Sequence, residues 1–558
     1  MISQKDIFGY SFNKSFSKSV AYFSMEFAID QSLKIYSGGL GFLAGSHMRS
    51  AYELKQNLLG IGMLWKYGYY DQVKGYDGSM KPEYVEKRYS FLEDTGIVFP
   101  VEVHSSTVYV KAFLLKPTTF NSAPIFLLST DIDQNDSLSR TITNRLYDSN
   151  ESTRIAQSIV LGIGGAKLLD ILEMKTDIYH MNEGHALPLT FFLYSKYKEL
   201  AEVQKRVVFT THTPELAGNE EHDFGLLNRM SFFNGVDSDE IKTLLKVENN
   251  RLNYTLSALR FAKVANGVSQ LHGEVAREMW YGYEGVCEIK AITNSQNKNY
   301  WQDEAFAQAL KAVGDKELIA RKKELKSELF KEIANQTGKI FDENVLTLVW
   351  ARRYAGYKRA DLITHDLERF KKLLANAQYP IQIIWAGKPY PEDHGAIDTF
   401  NSLWKKTLSI SNCAVLTGYE LSLSALIKKG SDVWLNNPKM YREASGTSGM
   451  TAAMNGCVNF SIPDGWIPEF SKHAVNSYII NPAQKGLNEV ETNAIEASNM
   501  LDVLENEILP TYYDSPTKWN KIVRTAVKDV IPAFESGRMA EEYYNQLFNT
   551  EVKTLSLA

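Results

Sequence analysis

Glu443 stands directly before a small, hydroxylated, glycine-bearing run, Ala444-Ser445-Gly446-Thr447-Ser448-Gly449. An apolar segment, Val433-Trp434-Leu435, reads as a buried strand and breaks at Asn436-Asn437-Pro438, and residues 450–454 read as the first turns of a helix. A strand, a Gly/Ser/Thr turn and a helix start together bring free backbone N–H groups to one point, an arrangement that holds an anion, usually phosphate. A carboxylate at the edge of that turn can take sugar hydroxyls. The plainer reading is an ordinary strand-to-helix connection. Upstream, the strand-like residues 345–350 lead into Ala351-Arg352-Arg353-Tyr354-Ala355-Gly356-Tyr357-Lys358-Arg359. Its four cations make either a solvated edge or a phosphate clamp, in which a forked guanidinium and a point-charge ammonium share one anion. Near the N-terminus, the strand-like residues 20–27 precede Ser37-Gly38-Gly39-Leu40-Gly41 and a helical pattern through Leu54, a second turn able to cradle phosphate.

These groups need elements to position them. Strand-like Asp177-Ile178-Tyr179-His180-Met181 ends in Asn182-Glu183-Gly184-His185, and Val207-Val208-Phe209-Thr210 ends in Thr211-His212-Thr213-Pro214. Strands alternating with helices predict parallel sheets wound on both faces. Ligands in such sheets sit at the carboxyl ends of strands, where His185 and His212 fall. A histidine in that place can equally be a structural hydrogen-bonder. Residues 257–280 read as one long amphipathic helix and residues 318–337 as a highly charged helix with a solvated face.

The chain has 558 residues, too many for one core, so about two or three domains are expected. An apolar content of 44% with 23% charged residues describes an ordinary globular protein, and a net charge of −5 gives no electrostatic case for nucleic acid. Three dispersed cysteines, Cys287, Cys413 and Cys457, suggest neither a disulfide framework nor a zinc site, and no metal is expected. With no apolar leader and no membrane-length apolar run, a cytoplasmic location is the expectation.

The strings WLNNP and EASGTSGM, with the glycine loop, NEGHA, THTP and the RR.A.YKRA cationic segment, resemble the α-glucan (glycogen, starch, maltodextrin) phosphorylase family over nearly the whole chain, most closely its short bacterial and archaeal branch. The resemblance implies an α/β fold of the GT-B class: two doubly wound, Rossmann-like domains facing across a cleft. The expected boundaries are 1–300 for the domain carrying the glycine loop, 301–500 for the phosphate and donor domain, and 501–558 for helices crossing back to the first domain. It further implies that Gly38, Gly39 and Leu40 face phosphate and donor sugar, with Glu26 on the sugar site. His185 contacts the transferred sugar, Arg353 and Lys358 form the phosphate-binding pair, and Glu443 with Ser445, Gly446, Thr447, Ser448 and Gly449 binds substrate. His212 and His272 are expected to pack or organise. Members of the family are commonly homodimers, and their partners are a sugar donor and a carbohydrate acceptor rather than nucleic acid or membrane.

Two departures stand out. After Ile292-Thr293-Asn294, the residues Ser295-Gln296-Asn297 differ from the family's usual string. More consequentially, the family's lysine, which carries pyridoxal phosphate (PLP) as a Schiff base, falls on Thr451, which has no amine and cannot form an imine. The leading expectation is therefore a retaining hexosyltransferase on this frame, without covalently held PLP, using a nucleotide sugar or a sugar phosphate. A small side chain at 451 would leave room for a nucleotide and hydrogen-bond its ribose. The alternatives are an α-glucan phosphorylase with noncovalent PLP and a catalytically inactive glucan-binding protein.

Overall fold

The computed structural model describes residues 3–551, so residues 1–2 and the end of the expected tail, 552–558, lie outside it. The chain divides into two compact units. The first comprises residues 3–70, 84–297 and 536–551, and the second residues 71–83 and 298–535.

The first unit is built on a nine-stranded sheet. Its strands in chain order are β1 (Val20–Phe23), β2 (Leu58–Met63), β3 (Glu93–Val103), β4 (Ser106–Leu115), β5 (Ile125–Ser129), β6 (Ile178–Asn182), β7 (Val207–Thr210), β8 (Val264–Gly267) and β9 (Glu288–Ala291). They lie in the order β9-β8-β7-β6-β1-β2-β5-β4-β3. From β9 to β5 every neighbouring pair is parallel, and β4 and β3 extend one edge antiparallel. Strands β1, β2, β6 and β7 are buried along their whole length, as continuous apolar runs in a covered parallel sheet should be.

The long helix expected over 257–280 is not one helix. Helix Tyr254–Phe261 ends, β8 runs through Val264-Ala265-Asn266-Gly267, and a new helix covers Gln270–Met279. The apolar spacing suits both readings, but β8 pairs with β7 and with the edge strand β9, and this pairing satisfies its buried backbone groups on both sides.

The second unit holds a six-stranded, wholly parallel sheet. Its strands are β10 (Leu346–Ala351), β11 (Ile381–Ala386), β12 (Cys413–Leu416), β13 (Val433–Asn436), β14 (Val458–Ser461) and β15 (Ser477–Ile479), in the order β12-β11-β10-β13-β14-β15. The charged helix Lys316–Thr337 does have a buried face, through Leu325, Leu329, Phe330 and Ile333, that packs beneath this sheet.

Two segments join units distant in sequence. The hairpin formed by Asp71–Lys74 and Met80–Glu83 belongs to the second unit, where Gln72 donates to Gly387 O and accepts from Gly418 N, both at 3.0 Å. The chain returns to the first unit at Ser536, so residues 501–535 pack in the second. There Ala526, Val530 and Phe534 cover Met450, Ala453 and Met454. The departing string Ser295-Gln296-Asn297 has a structural use inside the first unit. Gln296 Oε1 accepts from Ser46 at 2.8 Å, Asn297 donates to Ser50 and Glu53, and Arg538 of the returning segment donates to Thr293 O and to Ser295.

Candidate active site

In the second unit the site grows from the carboxyl ends of β10 and β13, the two central strands. β10 ends at Ala351, and the Arg352 amide continues the parallel ladder by donating to Ala386 O. Successive side chains of an extended segment point to opposite faces. Arg352 is accordingly buried and Arg353 exposed. The guanidinium that joins Lys358 at Glu443 is therefore Arg352, while Arg353 turns to the opposite face. Arg352 donates to Glu443 Oε2, and Lys358 Nζ lies 3.1 Å from the same oxygen. Burial pushes the Glu443 carboxyl up, but Arg352 and Lys358 outweigh that and take it down to about 2.

Glu443 is placed by two further groups. Asp464 accepts from the Arg442 and Glu443 amides at 3.1 and 3.0 Å. Burial, with the charge on Glu443 adding to it, raises Asp464 to about 6. Arg359, the last of the four cations, is structural. It donates to Asn437 O and Pro438 O at 3.0 and 2.8 Å and pairs with Glu496, fixing the chain where it leaves β13.

After Glu443 the chain turns into helix α3 (Thr447–Met454; α1 is Gly39–Glu53 and α2 is Leu421–Gly430). The N-cap is Gly446 and no side chain caps it, which leaves the first-turn amides open to a ligand. A Cβ at Gly446 would lie 3.3 Å from Arg352 and 3.5 Å from Glu443, so the turn runs close against the charged cluster. Arg352 Nη1 and Ser445 Oγ are both buried without a protein partner. Buried polar atoms are rarely left so, and these two are suited to an anion's oxygens.

Thr451 lies in α3, wholly buried, and its hydroxyl donates to Ser448 O at 3.0 Å. It therefore does not present its hydroxyl to a nucleotide ribose, as the sequence expectation had it. A pyridoxal group likewise does not fit position 451 covalently, for want of an amine.

In the first unit, α1 begins at the glycine loop with Gly38 as N-cap, again without a capping side chain. A Cβ at Gly38 or Gly39 would meet nothing within 4 Å, so the loop borders open space. Leu40 is half-buried beside it. Glu26 was expected to face the sugar. It is instead 2% exposed, accepting from Ser37 N, Ser37 Oγ, Gly38 N and Tyr147 Oη at 2.6, 3.1, 3.1 and 2.7 Å. Its carboxylate braces the loop. Burial raises its pKa, and these donors oppose the rise.

The Tyr147 ring also meets His185, with ring centroids 5.7 Å apart. His185 Nδ1 is buried without a protein partner, and burial lowers the ring's pKa. Glu183, in the left-handed region at φ 71°, accepts from the His212 amide at 2.8 Å. His212 Nε2 lies 2.7 Å from Asn182 Oδ1, and His272 lies 3.2 Å from Thr213 O, so both rings are held as structural hydrogen-bonders.

Sequence reasoning missed Tyr147, Asp464 and Arg352. Tyr147 and Asp464 lie far in sequence from the groups they hold, and only strand phase separates Arg352 from Arg353.

Two α/β units, each built on a largely parallel sheet with an uncapped glycine-bearing turn at its strand ends, are consistent with the GT-B fold class. Residues 232–507 match the family described as Carbohydrate phosphorylase. The chain is 32% identical to the maltodextrin phosphorylase of Thermococcus litoralis over 95% of its own length and 70% of that protein. It is 30% identical to the glycogen phosphorylase of Aquifex aeolicus over 97% and 88%, and 47% identical to an uncharacterised protein of Methanocaldococcus jannaschii over 95% and 100%. The chain belongs to the carbohydrate phosphorylase family. Among the described residues, no helix is long and apolar enough to cross a membrane.

Proposed function

We propose that this protein is a retaining hexosyltransferase that moves a glucosyl unit between an α-glucan and phosphate, with glucose 1-phosphate as the sugar phosphate. The observation that carries the reading is the Arg352–Glu443–Lys358 cluster at the uncapped start of α3, with Arg352 Nη1 and Ser445 Oγ buried and unused. A glycosyl phosphate bond breaks with charge developing on the departing phosphate. Fixed donors at that place lower the barrier because they need no reorganisation when the charge appears.

In this reading Arg352 and Lys358 hold the phosphate together with the backbone of Ser445, Gly446, Thr447, Ser448 and Gly449. Glu443 keeps the two cations at one point and offers its remaining oxygen to a sugar hydroxyl. Within the first unit, the glycine loop at Gly38, Gly39 and Leu40, braced by Glu26 through the Gly38 amide, leaves the Gly39 and Leu40 amides for an anion, and His185 is the residue assigned to the transferred sugar. Holding both reactants in reacting geometry supplies much of the remaining acceleration. No step is assigned to PLP, since position 451 cannot bind it covalently.

Two findings favour phosphate over a nucleotide sugar: the named relatives are phosphorylases, and Thr451 is buried with its hydroxyl engaged. The test incubates the protein with maltodextrin and inorganic phosphate, and in reverse with glucose 1-phosphate and a short maltodextrin. Release of glucose 1-phosphate and chain extension are expected. If neither occurs while a UDP-, ADP- or GDP-sugar donates a glucosyl unit, the donor assignment is wrong. If no donor is used at all, the transferase reading fails.

A further inference from the structure

The second unit holds a cavity of about 270 Å³ at the amino ends of its strands, the end opposite Glu443. Asp432, immediately before β13, and Gly456, two residues before β14, line it. So do the helices Lys316–Thr337 and Pro516–Phe534. A cavity of about 150 Å³ is enough for a benzene molecule. This one has room for an aromatic ring with a short tail.

Three aromatic side chains wall the cavity. Phe306 and Trp519 are 1% and 6% exposed, and Trp519 meets Tyr512 edge to face with ring centroids 5.2 Å apart. The charges between them do not cancel. Lys326 pairs with Asp432 at 2.6 Å and donates to Val345 O at 2.7 Å. Lys322 has no carboxylate within ion-pairing distance among the described residues. Its Nζ donates to Lys429 O at 2.9 Å and to Asn455 O at 3.1 Å, at the ends of α2 and α3. An ammonium carries three donors, so one is left over. Burial works against this charge and lowers its pKa, a cost that an anion beside it would relieve. The Tyr512 hydroxyl makes no hydrogen bond among the described residues, and burial, with the Asp432 charge adding to it, pushes its pKa up, so it stays a donor. Over the whole lining, the three ammoniums of Lys322, Lys323 and Lys326 stand against the two carboxylates of Glu343 and Asp432.

We propose that this cavity is a ligand site of its own, taking an aryl carboxylate: one aromatic ring on a short acid-bearing tail. The ring lies among Phe306, Tyr512 and Trp519, where its apolar faces leave water. The carboxylate accepts from Lys322 Nζ and Tyr512 Oη, and charge-assisted bonds of this kind are the strong ones. A monoanion matches the single spare positive charge, whereas a phosphate dianion exceeds it. The phosphate site lies at the other end of the same strands and of α3, so the two ligands bind together.

The proposal goes beyond the glucosyl-transfer reading, and its test reads binding alone. 3-Phenylpropionate is titrated calorimetrically into the full-length protein, with and without saturating inorganic phosphate. One site per chain is expected, with the same affinity in both. The neutral analogue 3-phenylpropan-1-ol should bind wild-type protein about tenfold more weakly, K322M should lose about tenfold in affinity for the acid, and Y512F about fivefold. Because no protein group uses the Tyr512 hydroxyl, Y512F should keep the wild-type unfolding midpoint. It and the alcohol therefore decide the matter even where K322M, which strips a cation from two helix ends, fails to fold. No binding of the acid, equal binding of acid and alcohol, wild-type affinity in Y512F, or displacement of the acid by phosphate overturns the proposal. Binding of the acid to a protein that transfers no glucosyl unit would sink the transfer reading instead, and transfer without such binding would sink only this site.

Discussion

Lys358 Nζ lies 3.1 Å from Glu443 Oε2, the oxygen that also receives the Arg352 guanidinium. One carboxylate therefore restrains two cations from a segment about 90 residues earlier in the chain, and it sits at the entrance to an uncapped helix. Both charged side chains of the pair are largely buried, 11% and 9% exposed, so neither is much screened by solvent.

Removing this carboxylate leaves two buried cations uncompensated. E443Q should cost about 3–5 kcal/mol of stability and abolish most glucosyl transfer. Urea unfolding at pH 7 checks this, and an E443Q midpoint equal to wild type would refute the assigned coupling.

The two carboxylates of the site should respond to pH with opposite sign. Glu443 stands at about 2 when folded, below the ordinary value of 4.5. Its contribution, roughly 3 kcal/mol, is present above 4.5 and lost as pH falls toward 2. Asp464 stands at about 6, above the ordinary 3.8, so its contribution is full below 3.8 and lost as pH rises through 6. Unfolding midpoints measured from pH 3 to pH 8 should therefore show a smaller step between about 4 and 6 in D464N, and a partly reduced one in E443Q, because the Glu443 charge adds to the rise of Asp464.

The glycine loop depends on Glu26 and hence on Tyr147. Y147F removes the 2.7 Å hydrogen bond to Glu26 Oε1 and should cost about 1–2 kcal/mol. It should also speed hydrogen exchange at the Ser37 and Gly38 amides, whose acceptor is Glu26. Unchanged exchange at those two amides would show that the brace is unnecessary.

Gly387 follows β11 at φ +146°, and a Cβ there would come within 1.8 Å of Arg352 O. G387A should destabilise by at least about 1–3 kcal/mol, and the displaced Arg352 should raise KM for phosphate more than KM for glucan. Equal effects on the two would place Arg352 outside the phosphate site.

The amino-acid sequence by itself determined the parallel α/β class, the ends of β10, β11 and β13, and the turn at 443–449. Each follows from a local rule, namely continuous apolar runs, glycine and hydroxyl residues at a turn, or a helix start. Local spacing also made 257–280 a single helix, because the buried strand at Val264–Gly267 is visible only through its pairing with β7 and β9. Tertiary structure alone decided that Arg352 rather than Arg353 reaches Glu443, and that Glu26 turns inward to hold the loop. The physical reason is that a side chain's partner outside its own element depends on strand phase and helix rotation, which a local pattern fixes only to within a residue, and one residue reverses the face.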